Sequence, residues 1–159
     1  MIKIGFGLDT HGFTEGDGVI LGGVKVPHHM SVSGHSDGDV LLHAIVDALL
    51  GATTQGDIGV HFPSSDPQWQ GVSSSKFLKH AKVLIEAVGA TINHIDCTIV
   101  LQEPVISPFI LKMRSQVAED LGIDLEEISI KATTSDHLGF VGRKEGVTAM
   151  ALATLEVPK

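Results

Sequence analysis

The sequence predicts an α+β fold: one domain over residues 1–159, built as a mixed β-sheet with helices packed on one face. Two patterns predict it. Ile2–Leu8, Thr91–Gln102 and Val147–Val157 alternate in the two-residue period of strands. Three further segments, beginning near Ser36–Asp39, Ser73 and Pro108, repeat apolar residues in the period of helices between capping and stop signals. No linker or internal repeat divides the chain, and its length suits a single sizeable core.

Ile2, Ile4, Phe6 and Leu8 make one apolar strand face, which is assigned to the core. Gly5 and Gly7 lie on the other face, and Asp9 and His11 continue it side by side, because residues two apart on a strand point the same way. Val19–Val26 reads as a hairpin turning at Gly22-Gly23, and Pro27–Gly34 as a loop. A helix follows. Ser36, Asp37 and Asp39 offer capping oxygens and negative charge at its start, and Gly51 offers a stop. Almost every position between is apolar, so the helix is expected to be buried on most sides. Asp39, His43 and Asp47 recur every four residues as one polar stripe. A buried polar stripe needs partners, since an unpaired polar group costs a few kcal/mol.

Gly51–Gly71 is rich in Gly, Pro, Ser and Asp. A polar loop of that length is either disordered or functional, often as a lid. Ser73-Ser74-Ser75 open a second helix with Phe77, Ala81, Leu84, Ile85 and Val88 inside and Gly89 at its end. The strand from Thr91 to Gln102 carries Ile95, Cys97, Ile99 and Leu101 on one side and stops at Pro104. Pro108 opens a third helix running through Met113, Val117 and Leu121 to Gly122. Ile128–Ala132 is a strand leading into Thr133-Thr134-Ser135-Asp136, and Gly139–Gly146 is a glycine-rich loop. The last strand is apolar or small on both faces, which predicts burial on both sides. Three helices suffice to cover one sheet face, so the other is expected to meet another subunit.

Composition narrows the function. No apolar run approaches the ~20 residues of a membrane span, and the first residues lack a signal-peptide layout. A single cysteine, Cys97, precludes an internal disulfide and points to a reducing, cytoplasmic setting. The net charge of −8 without a basic cluster argues against a nucleic-acid partner, as does a chain with no tyrosine and one tryptophan. A phosphate-rich ligand would need help from metals, helix N-termini or a few placed cations.

Asp9, His11 and His43 are the candidate metal ligands, since three N/O ligands with an open position are the pattern of a catalytic zinc. The alternative for His43 is a hydrogen bond to a backbone carbonyl within the core. Gly34-His35-Ser36 at a helix start and the hydroxyls of Thr133-Thr134-Ser135 suit phosphate, and equally an ordinary cap and turn. Gly142-Arg143-Lys144-Glu145-Gly146 reads as a phosphate contact or a surface turn, and Asp57 as a ligand contact or a turn aspartate.

Gly5-Phe6-Gly7-Leu8-Asp9-Thr10-His11, Gly34-His35-Ser36-Asp37-Gly38-Asp39-Val40, Gly56-Asp57-Ile58-Gly59, Phe62-Pro63 with Asp66-Pro67, and Ala132-Thr133-Thr134 with Leu138-Gly139-Phe140 together resemble the 2-C-methyl-D-erythritol 2,4-cyclodiphosphate synthase family of the non-mevalonate isoprenoid pathway. The resemblance runs in order from residue 2 to about 157. It implies that 4-diphosphocytidyl-2-C-methyl-D-erythritol 2-phosphate is cyclised as its 2-phosphate attacks the β-phosphorus and CMP leaves, which makes the chain a phosphorus–oxygen lyase. It implies a homotrimer, joined through the sheet faces not covered by helices, with active sites between subunits. The trimer axis would enclose an apolar cavity in which a prenyl diphosphate fits.

Asp9, His11 and His43 match the family's zinc ligands, and Asp9 and His11 also approach the substrate. Asp136 falls where a second ion, Mg²⁺ or Mn²⁺, would bridge the diphosphate. His35 and Thr134 match positions that orient and polarise phosphates, with Ser36 and Ser135 beside them as further contacts. Asp57, Ile58 and Gly59 match the erythritol end, over which Phe62, Pro63, Ser64, Ser65 and Asp66 would close. Leu101, Gln102, Glu103, Pro104, Val105, Ile106 and Ser107, with Thr133, would form the cytidine pocket through backbone groups. Phe140 and Arg143 fall on further substrate contacts.

The chain departs from the family pattern at four places. Val105 replaces a lysine, Ser64-Ser65 an Asp-Thr or Pro-Thr pair, Asp136 a glutamate one methylene longer, and Thr10 a valine. None is a zinc ligand. The rival functions are a zinc phosphohydrolase, in which water attacks in place of the internal phosphate, and a non-catalytic trimer that binds prenyl diphosphate.

Overall fold

The computed structural model describes residues 1–159. In order it contains β1 (Ile2–Glu15), β2 (Gly18–Leu21), β3 (Val24–Pro27), β4 (Met30–Val32), α1 (Val40–Ala52), α2 (Ile58–His61), α3 (Ser74–Ala87), β5 (Thr91–Val100), α4 (Ile110–Leu121), β6 (Ile128–Thr133), α5 (Gly139–Gly142) and β7 (Gly146–Glu156). Five strands form one sheet in the order β4-β1-β7-β5-β6, and β2 and β3 form a separate hairpin. β7 pairs antiparallel with both β1 and β5, whereas β5 and β6 run parallel, so the sheet is mixed. Gly22 and Gly23 turn the hairpin with positive φ, as Gly-Gly at a two-residue turn predicts.

β1 is turned over relative to the expectation. Ile2, Ile4, Phe6 and Leu8 are 58%, 66%, 60% and 51% exposed, while Gly5 and Gly7 are buried beneath α1. A Cβ added to Gly7 would lie 2.8 Å from the Ala44 carbonyl carbon and 2.9 Å from the Ala48 nitrogen. Helix and strand therefore meet backbone to backbone, closer than any side chain permits. Apolar content misassigns this face because its burial is achieved by the absence of side chains. The pairing of Asp9 and His11 with the glycine face holds, so both point to the helix side.

β7 also departs from burial on both faces. Val147, Ala149, Ala151, Ala153 and Leu155 are buried, but Leu152 is 43% exposed. Leu152 lies opposite Phe6, and Met150 opposite Leu8, so β1 and β7 share one open apolar surface. Pro27–Gly34 is not all loop: Met30–Val32 pairs with Phe13–Glu15. Gly139–Gly142 forms a single helical turn within the segment expected to be a loop.

α1 begins where its acidic cap predicts. Asp39, fully buried, accepts from the Leu42 N–H at 3.0 Å and also from the N–H groups of Gly22 (3.0 Å) and Gly23 (2.7 Å). One carboxyl thus starts the helix and fastens the hairpin to it. Burial pushes its pKa up to about 6, against the backbone donors that favour the carboxylate. The helix does not stop at Gly51. It continues to Ala52 and ends through Thr54, a non-glycine in the left-handed region (φ 61°), with the Thr54 and Gln55 N–H groups donating to the carbonyls of Gly51 (3.2 Å) and Leu50 (2.9 Å), while the Thr53 hydroxyl donates to those of Leu49 (3.1 Å) and Leu50 (3.2 Å). α4 does end on a left-handed glycine, Gly122, with φ of 65°. Its start is tighter than expected: Ser107–Phe109 form a 3-10 turn, and the α-helix begins at Ile110.

Candidate active site

Three elements converge at one end of the sheet. β1 carries Asp9 and His11, the N-terminal half of α1 carries His43, and the start of α3 lies behind them. Asp9 Oδ2 is 2.9 Å from His11 Nε2 and 3.0 Å from His43 Nδ1. One potential ligand atom from each residue lies within 4.8 Å of the others. A carboxylate oxygen and two imidazole nitrogens gathered this closely are a donor set that suits a zinc ion with an open fourth position. Burial works against ionisation of Asp9, but hydrogen bonds with His11 and His43 outweigh it and hold the carboxyl down at about 2. The His11 pKa is raised, chiefly by its hydrogen bond with Asp9, with burial opposing.

A cavity of about 210 Å³ opens at this cluster, lined by His11, His35, Ser36, His43, Ile58, Gly59, Phe62, Ser64 and Phe77. The polar stripe on α1 shapes it. His43 faces Asp9, and Asp47, one turn on, accepts the Ile58 N–H at 2.8 Å and so anchors α2 at the cavity wall. Asp57 caps α2, accepting from the Val60 N–H at 3.0 Å, and Asp66 caps the turn Pro67–Trp69, accepting from Gln68 at 3.0 Å. Phe62 stacks on Phe77 at 4.4 Å between ring centres and meets Trp69 edge-on, which ties this segment to α3. Pro63, Ser65 and Asp66 share the segment without lining the cavity.

A second cavity, of about 280 Å³, is lined by Leu101, Gln102, Pro104, Val105, Ile106, Ser107, Ala132, Thr133 and Thr134, at the ends of β5 and β6. It gathers the residues expected around a cytidine except Glu103, which instead pairs with Lys144 at 2.8 Å. β5 and β6 stand two and three strands from β1, about 10–14 Å away at the usual strand spacing. His35 and Thr134, expected to act on the same phosphates, therefore lie in different cavities of one chain. Ser135 donates to the Leu138 carbonyl at 2.6 Å, and Asp136 is exposed in a left-handed turn, outside the ligand cluster. Arg143 is exposed and paired with Glu145 at 2.8 Å, and Phe140 is 41% exposed; neither lines a cavity.

Two residues behind the cluster escaped sequence reasoning. Ser74 hydrogen-bonds His43 Nε2 at 2.8 Å, and Asp37 holds Ser74. The run Ser73-Ser74-Ser75 signals a helix start but does not reveal which hydroxyl turns inward.

The fold and the site define a class: a mixed-sheet α+β protein with an Asp-His-His cluster able to hold a metal ion beside a cavity. The chain belongs to the YgbB family, whose model matches residues 2–156. It is 51% identical over 157 residues to the 2-C-methyl-D-erythritol 2,4-cyclodiphosphate synthase of Pseudomonas fluorescens, covering 99% of this chain and 100% of that one. It is 54% identical over 154 residues to the bifunctional enzyme IspD/IspF of a Ruegeria species, covering 97% of this chain and 40% of that protein. The chain thus spans about two fifths of its bifunctional relatives. Among solved structures, the bifunctional IspDF of Campylobacter jejuni matches with a TM-score of 0.95 at 37% identity, over 100% of this chain and 43% of that one. A CDP complex of IspF from Plasmodium falciparum matches at 0.86 and 35%, over 99% and 97%. No helix is long and apolar enough to cross a membrane.

Proposed function

We propose that the chain is a cyclodiphosphate synthase of isoprenoid precursor biosynthesis, a phosphorus–oxygen lyase that converts 4-diphosphocytidyl-2-C-methyl-D-erythritol 2-phosphate into 2-C-methyl-D-erythritol 2,4-cyclodiphosphate and CMP. The observation that carries this reading is the convergence of Asp9, His11 and His43 at the mouth of the cavity formed with His35, Ser36, Ile58 and Gly59. A zinc ion held by the three residues, with Mg²⁺ or Mn²⁺ on the diphosphate near Asp136, would polarise the phosphates and neutralise their charge.

The chain's own groups do the rest by positioning. The cavity walled by α2 takes the erythritol end and holds its 2-phosphate toward the β-phosphorus. Phe62 and Phe77 exclude water from that end, which favours the internal nucleophile over hydrolysis. Backbone groups of Leu101–Ser107 and the Thr133 side chain hold the cytidine, and the Thr134 hydroxyl and His35 hold phosphates. Because the His35 cavity and the cavity that holds Leu101–Ser107, Thr133 and Thr134 are separate in one chain, a complete site forms where the first cavity of one subunit meets the second of its neighbour. The exposed surface of Ile2, Ile4, Phe6, Leu8 and Leu152 supports a homotrimer closed through this sheet face. Its apolar axis suits a prenyl chain.

A phosphorus NMR spectrum of the zinc-loaded protein with this substrate and Mg²⁺ tests the reading. Two mutually coupled diphosphate signals together with CMP are expected. CMP with only uncoupled monophosphate signals would make the protein a hydrolase, and an unchanged spectrum would leave a binding trimer.

A further inference from the structure

His43 faces Asp9 with one ring nitrogen, and the other is held as closely. His43 Nε2 lies 2.8 Å from the Ser74 hydroxyl and 3.2 Å from that of Ser36. Ser74 is fully buried. It is not needed to cap α3, because the Ser73 hydroxyl does that by accepting the Ser75 N–H at 3.3 Å. Ser74 is instead gripped by Asp37 from two sides. Its N–H donates to Asp37 Oδ2 at 2.9 Å, and its hydroxyl donates to Asp37 Oδ1 in a short hydrogen bond. Asp37 Oδ1 also accepts the Asp39 N–H at 3.1 Å, so both oxygens serve as acceptors.

This arrangement decides where protons sit. A serine has one hydroxyl proton, and Asp37 takes it. Ser74 Oγ then offers only lone pairs to His43 Nε2, which must carry the donated hydrogen. Nδ1 faces Asp9 Oδ2 at 3.0 Å and shares a hydrogen with it in the metal-free protein; it is the nitrogen whose hydrogen a metal would replace, because Nε2 is already committed to Ser74. A histidine ligand's outer hydrogen bond fixes both ring orientation and tautomer in this way.

We propose that Ser74 and Asp37 are positioning residues for the metal centre: Asp37 orients the Ser74 hydroxyl, and Ser74 holds His43 in the Nε2–H form so that Nδ1 is presented to zinc. The inference rests on the zinc reading above. It assigns the start of α3 and the turn before α1 a role in metal affinity that their helix-capping appearance conceals.

The test measures zinc affinity by chelator competition in the wild type, S74A, S74T and D37N. It also follows the His43 side chain by proton–nitrogen NMR in the zinc-loaded proteins. Melting of the metal-free proteins is recorded in parallel. S74A is expected to bind zinc about 10–100-fold more weakly, the range for losing an outer partner of a ligand, and to expose the Nε2–H to rapid exchange with water. S74T, which keeps the hydroxyl, restores affinity and a protected Nε2–H. D37N weakens zinc binding in the same direction as S74A, and it carries the test where the threonine methyl disturbs folding. A lowered melting temperature with wild-type zinc affinity and a protected Nε2–H in S74A and D37N would reduce the pair to a structural role and overturn the inference alone. A wild type that binds no zinc would overturn the zinc reading itself, and this inference with it.

Discussion

Replacing Gly7 with alanine should damage the proposed metal centre without touching a ligand. Gly7 sits two residues before Asp9 on the same face of β1, directly under Ala44, the neighbour of His43. The new Cβ would come to 2.8 Å from the Ala44 carbonyl carbon, where carbon atoms rest at about 3.5–4.0 Å. The carbonyl oxygen is closer still, so α1 must retreat by about 1 Å, a displacement worth about 1–3 kcal/mol in an overpacked core. Metal–ligand distances tolerate only about 0.2 Å. His43 travels with the helix while Asp9 and His11 stay on the strand, so the gap opens several times past that tolerance. The assay is zinc affinity by chelator competition beside a denaturant melt, with Gly51→Ala as control. Gly51 lies in the same helix with nothing within 4 Å of an added Cβ, and its substitution should be neutral or stabilising by up to about 1 kcal/mol. A Gly7→Ala protein that binds zinc and unfolds like the wild type would refute the claim that backbone contact sets the ligand spacing.

Four further outcomes follow from the same structure. His43→Ala should lose zinc and turnover together, by more than the roughly 10–100-fold that an outer partner accounts for; full turnover in the zinc-free variant would remove His43 from the metal site. Asp39→Ala should cost about 2–4 kcal/mol, one cap plus the N–H groups of Gly22 and Gly23 left without an acceptor, read as a lower denaturation midpoint at unchanged slope. Because the His11 pKa is raised, its contribution to the metal-free fold is complete below the ordinary value of 6.5 and fades as pH rises through the raised value. Zinc needs the neutral ring, so the extra stability conferred by zinc should grow with rising pH, and a pH-independent difference in melting temperature would contradict this. Phe6→Asp places a charge on the open sheet face and should dissociate the proposed trimer, as sedimentation velocity of the wild type and variant would show; a trimer that persists in the variant would move the interface elsewhere.

The linear sequence determined a good deal about this protein. Period-two and period-3.6 patterns located the long strands and all three long helices, because the backbone geometry of an element sets its side-chain repeat whichever face ends up buried. Asp39 and Ser73 marked helix starts through hydrogen bonds made within a few residues. Asp9, His11 and His43 stood out because two carry the same strand face and the third interrupts an apolar helix. Tertiary structure alone decided the rest. The buried side of β1 was misassigned because α1 approaches through Gly5 and Gly7, so the face with the least side chain is the one most completely covered. The role of Ser74 was hidden because its partners, His43 and Asp37, lie 31 and 37 residues away. His35 and Thr134 share a chemistry in sequence but occupy separate cavities, because β7 is inserted between β1 and β5 in the sheet. Local patterns encode contacts with water and near neighbours, whereas the spacing of a site depends on which backbones meet, and that is settled only when the chain has folded.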